Sequence, residues 1–142
     1  MVRTTPTLSI PRIVFVGALL AAACRQSEPS PLSALGSVTR AEVTYAIPGE
    51  DPSRQVLTDA GRLAVLRAAA RHAGDWRSVL DTPPAGVARA AFYRDSVFLG
   101  VLSVGPDFIG ASDGRRTRFR KPNKTESESV YVALGLPTKP KL

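Results

Sequence analysis

The sequence predicts a small α+β domain: an antiparallel meander sheet in the order β-α-β-β-β-(β)-α, with one helix packed on one face. Three observations predict it. Apolar and β-branched residues recur with a two-residue period from Val87 onward, broken by short polar turns. The best-signalled helix, over 58–74, carries helical spacing with signals at both ends. Before residue 37 the pattern changes altogether, so the domain is placed at 37–137, followed by a fraying tail at 138–142.

Ser37–Ile47 reads as the first strand, on Val38, Val43, Thr44, Tyr45 and Ile47. Pro48-Gly49-Glu50-Asp51-Pro52 ends it, because proline cannot continue a hydrogen-bonded ladder. Thr58 or Asp59 then caps a helix in which Leu63, Leu66, Ala70 and Ala73 form the apolar stripe and Gly74 supplies the stop. Asp75–Leu80 returns the chain toward the sheet, and Trp76 is expected to plug one end of the core. Asp81–Gly86 is read as a loop.

Val87–Tyr93 and Val97–Val104 are joined by Arg94-Asp95-Ser96, a connection short enough to demand a hairpin. Gly105-Pro106-Asp107 turns the chain into Phe108–Ser112. Asp113-Gly114 turns it again into a last arm, Arg115–Lys121. Leu63, Leu66, Trp76, Phe92, Phe98, Val101 and Phe108 are expected in the core. The tail leaves a choice. Thr125-Glu126-Ser127-Glu128, Gly135 and Pro137 frame a helix over 126–134, while Ser129-Val130-Tyr131-Val132 has strand propensity. The two end signals favour the helix.

The first residues carry an address. Arg3 and Arg12 precede the apolar run Ile13–Leu20, then Ala21-Ala22-Ala23 and the chain's one cysteine, Cys24. The apolar run, to Ala23, is about half the ~20 residues that a bilayer crossing needs, but it has the length of a signal h-region. Ala21-Ala22-Ala23-Cys24 resembles the lipobox of bacterial lipoprotein signals, with Ala where Leu is favoured at the third position before the cysteine. The resemblance covers 1–24 only. It implies removal of 1–23, acylation of Cys24 by a diacylglycerol and palmitate-type chains, and a protein anchored to a membrane of the bacterial cell envelope. Ala21-x-Ala23 also fits an ordinary signal-peptidase site, which would give a soluble periplasmic or secreted protein. A lone cysteine in an exported chain has no internal disulfide partner, and lipidation accounts for it. Residues 24–36, rich in Pro and Ser, then read as the lipidated cysteine and a flexible tether, able to reach about 40 Å at ~3.3–3.6 Å per residue.

The chain has 142 residues and a formal net charge of +7. Removing 1–23 takes away two arginines and no acid, so the remainder stays basic. A basic envelope protein meets anionic head groups or acidic polymers, in a salt-sensitive manner. The cations concentrate in Arg115, Arg116, Arg118, Arg120, Lys121 and Lys124. If that arm is extended, Arg116, Arg118 and Arg120 share one face and form a ladder suited to phosphate oxygens. The competing reading is a solvated edge strand whose charges block aggregation. Nucleic acid is disfavoured by compartment.

No catalytic set is recognisable. His72 is the single histidine, and no G-x-S-x-G elbow accompanies it. Asp51, Asp81, Asp95, Asp107 and Asp113 fall in turns, where Asp bonds its own backbone. One histidine and one cysteine supply no zinc set, and no calcium, phosphate or dinucleotide loop is present, so no metal or cofactor is expected. The leading class is a non-enzymatic binding or interaction module at the membrane, for anionic envelope components or a protein partner. A small periplasmic or envelope hydrolase, or a hydrolase inhibitor, is the alternative.

Overall fold

The structure, a computed structural model, describes residues 28–78 and 86–138. Eight elements follow one another: β1 (Arg40–Tyr45), β2 (Ser53–Leu57), α1 (Ala60–Arg71), β3 (Ala88–Arg94), β4 (Val97–Val104), β5 (Ile109–Ser112), β6 (Thr117–Arg120) and α2 (Lys124–Leu134). The strands form one antiparallel sheet in the order β2-β1-β3-β4-β5-β6. The fold class is therefore α+β, with α1 packed against α2 and β5.

Alternation decides which face is covered. Ala41 and Val43 of β1, Ala90 and Phe92 of β3, Leu102 and Val104 of β4, and Ile109 and Ala111 of β5 are buried against the helices. Leu63, Leu66, Ala69 and Ala70 of α1 and Val130, Ala133 and Leu134 of α2 complete this layer. Trp76 is fully buried at the end of α1, as expected, with Nε1 donating to the His72 carbonyl at 2.7 Å.

The helix ends follow their signals. The Asp59 side chain accepts from Arg62 N at 2.8 Å and caps α1. α2 is a helix, but it starts two residues earlier than expected. Asn123, not Thr125, is its cap, and it accepts from Glu126 N at 2.8 Å. Gly135 closes it at φ 73°, a left-handed position that glycine occupies without penalty. The strand formers Val130 and Tyr131 lie on the buried stripe of α2, so tertiary packing overrides their local preference.

Five expectations are corrected. Ser53–Leu57 is a strand, β2, although its sequence is polar. It is the sheet edge, where only Leu57 is buried, so no alternation marks it. The last arm is shorter than expected, and Arg116 precedes it. Phe98 is 46% exposed rather than core, because the bulge between Phe92 and Tyr93 leaves it opposite Tyr93 on the face away from the helices. Phe108 is half-buried.

The fifth correction concerns the expected tether. From Glu28 the chain is packed. Leu32 and Leu35 join the core, and buried Ser30 donates from Oγ to the Ala70 carbonyl and accepts from Leu32 N. Room for Leu32 is made by Gly100, where a Cβ would lie 2.4 Å from Leu32 Cδ2 and 2.8 Å from the Ser112 carbonyl oxygen. Two buried leucines outweigh the ordering cost that the Pro/Ser composition suggested. Leu32→Ala and Leu66→Ala are each expected to cost ~2–5 kcal/mol, read as a lowered thermal midpoint. An unchanged midpoint for Leu32→Ala would mean that this segment is not part of the domain.

Candidate functional site

The basic stretch divides into structural and exposed cations. Its first two members sit in the β5–β6 turn, where the Asp113 carboxylate accepts from Arg115 N and Arg116 N, both at 2.8 Å. Those backbone hydrogen bonds, Arg116's first and with its charge adding, hold the Asp113 carboxyl below its ordinary range. Arg116 also lies 3.7 Å from that carboxylate, but its side chain remains 62% exposed. Arg115 is exposed as well.

Arg118 and Arg120 do share a face of β6, and it is the helix-covered one. Each opposes a buried residue of β5, Ala111 and Ile109 respectively. Arg118 places Nε 3.0 Å from the Glu28 carboxylate and donates from its guanidinium to the Pro29 carbonyl, stapling the N-terminal segment to β6. Arg120 is buried. It makes a two-pronged pair with Glu126, one arm at 2.7 Å, and donates to the Ala69 carbonyl at 2.9 Å. Its guanidinium lies 5.0 Å from the Trp76 ring centroid. The expected three-rung ladder is therefore not presented to solvent: Arg116 is outside the strand, and Arg118 and Arg120 are engaged internally.

Lys121 and Lys124 are exposed and flank the N-terminus of α2, lining a recess of about 250 Å³ with Asp107, Glu128 and Tyr131. Sequence reasoning missed Arg77, which no local pattern marks. The segment after Trp76 adds to the free edge of β6: Arg77 N donates to the Phe119 carbonyl at 2.8 Å, and Phe119 N donates back at 2.9 Å. The Arg77 side chain is exposed. Arg77, Arg115, Arg116, Lys121 and Lys124 thus follow one border of the sheet, from the β5–β6 turn to the start of α2.

Among the described residues no helix covers the opposite face of the sheet. An open groove of about 500 Å³ there is lined by Thr44, Arg89, Val101, Ser103, Phe108 and Phe119, among others. Phe119 lies across Gly110, where a Cβ would come within 2.8 Å of its ring, and meets Phe108 edge-on at 5.8 Å. This groove needs the register of five strands to assemble, so no single segment of sequence announces it.

His72 is half-buried at the end of α1 and close enough to Glu126 for its charge to lower that carboxyl further. Asp51, Asp95, Asp107 and Asp113 occupy four separate turns, and Asp81 and Cys24 lie outside the described residues. Among the described residues no three His, Cys, Asp or Glu side chains gather as a metal site, and no helix is long and apolar enough to cross a membrane.

The Arg120 hydrogen bond is the main cause holding the Glu126 carboxyl below its ordinary range, against the opposing effect of desolvation. A depressed folded-state pKa gives stability that is present above the unfolded-state value and lost as pH falls through the folded-state value. Glu126→Gln is therefore expected to lower stability at neutral pH and to flatten the loss on acidification. Denaturant midpoints measured across the acid range check this, and parallel wild-type and variant profiles would refute it.

Comparison with protein-family models, with curated proteins and with solved structures gives no match.

Proposed function

We propose that this chain is an envelope lipoprotein, anchored by lipid on Cys24, whose domain is a non-enzymatic binding module for anionic envelope components. The observation that carries the reading is the border of exposed cations, Arg77, Arg115, Arg116, Lys121 and Lys124, left over once Arg118 and Arg120 are engaged inside the fold. Only Arg116 of these five forms an ion pair among the described residues, and that pair is long and solvated. Exposed guanidinium and ammonium groups bind phosphate or carboxylate oxygens with little desolvation cost, and salt weakens the attraction. The ligand chemistry is an anionic group repeated along a surface or polymer, since the five cations are spread along the border and only Lys121 and Lys124 share a recess.

The Ala21-Ala22-Ala23-Cys24 sequence supports the anchor. Cells grown with a palmitate analogue are expected to label the wild type and not Cys24→Ala. For the domain, the chain from residue 24 with Cys24→Ser is applied to immobilised polyphosphate. Replacing Arg115, Arg116, Lys121 and Lys124 with Ser is expected to lower the salt needed for elution without moving the thermal midpoint. Unchanged retention would contradict the reading.

A further inference from the structure

We infer that the β6 border of the sheet is a membrane-docking surface, and that the anionic component it meets is the head-group layer of the bilayer that holds Cys24. The inference rests on the reading above and adds the identity and position of the partner.

Chain length supplies the first argument. Glu28 is fixed in the fold: its N–H donates to the Trp76 carbonyl at 3.0 Å, and its carboxylate meets Arg118 and accepts from Ser78 Oγ, each at 3.0 Å. Four residue steps separate Glu28 from Cys24. Even fully extended they span about 14 Å at ~3.3–3.6 Å per residue. The sheet is wider than that. From β6 to β2 there are five strand spacings of ~4.8 Å, or about 24 Å. Glu28 lies beyond β6, joined to it through the Trp76-Arg77 segment. A lipid on Cys24 therefore cannot reach a bilayer placed against the β2 edge. It reaches one placed along the β6 border.

Charge supplies the second argument, independent of the leash. Five exposed cations stand along that same border, Arg115 and Arg116 at one end of β6, Arg77 alongside it, and Lys121 and Lys124 at the other end, while Arg71, Arg89 and Arg94 are exposed elsewhere. At the far edge, Arg54 of β2 is paired with Glu42 of β1, which also faces Arg40. A surface of phosphate-bearing head groups complements the first border and not the second. Docked in this way, the strands lie one above another away from the bilayer. β6 is nearest and β2 farthest, and the open groove and the helix layer face sideways.

The test uses the lipidated full chain in phosphatidylglycerol vesicles containing head-group energy acceptors. A donor dye is attached to Thr117→Cys on β6 or to Ser53→Cys on β2; acylated Cys24 does not react. The Thr117 dye is expected to be strongly quenched and the Ser53 dye weakly. Equal quenching would overturn the inference. A second variant separates leash from charge by inserting a long Gly/Ser linker between Gln26 and Ser27. With the linker, the difference is expected to persist on phosphatidylglycerol at low salt and to vanish on phosphatidylcholine. Its loss on phosphatidylglycerol would also overturn the inference. If polyphosphate binding survives in that case, the reading as an anion binder stands and its partner is an acidic polymer.

Discussion

Arg120 ties together the parts of this domain that the hydrophobic effect alone would leave free to slide. Its guanidinium joins β6, the C-terminal turn of α1 through Ala69, and the first turn of α2 through Glu126, and it packs on Trp76. Burying such a charge costs several kcal/mol before compensation. The two-pronged carboxylate, the carbonyl and the aromatic face offset that cost. One nitrogen, Nε, has no partner among the described residues. Apolar contacts between helices tolerate small shifts of register, whereas a two-pronged pair does not. The position of α2 relative to α1 and β6 depends on it.

That constraint divides the cations. In a strand, alternate residues share a face, so the placement of Arg120 inside also turns Arg118 toward the helix-covered side. There Arg118 meets Glu28 and Pro29 and fixes the N-terminal segment. The remaining cations stand in turns and at the start of α2, where alternation does not apply. The strand thus spends its two arginines on architecture, and the loops on either side carry the exposed charge. Glu28 is the first described residue, so this pair also fixes where the chain enters the domain.

Much of this fold was legible in the sequence for identifiable reasons. Val97–Val104 matched its strand limits because polar turns bound an apolar run on both sides. The Asp59 cap and the Leu63/Leu66 stripe placed α1. The edge strand β2 was silent because its exposure removes the alternation that marks a strand. The packing of 28–36 was hidden because composition suggested disorder, while its two buried leucines depend on space opened at Gly100, far along the chain. At the candidate site, the six cations were visible as a cluster. Which of them face inward was not, since that required the pairing of β6 with β5 and the partner Glu126. Arg77 joins the border only through its pairing with Phe119.

The central claim is that the buried Arg120 and the half-buried Glu126 act as one unit. A double-mutant cycle of Arg120→Met and Glu126→Gln, read by denaturant unfolding at neutral pH, tests it most directly. Each single change leaves the other charge without its partner, and the double change removes both charges. The account predicts that the double variant is clearly more stable than the sum of the two single losses implies. Additive losses would contradict it and would mean that the two side chains contribute independently of each other.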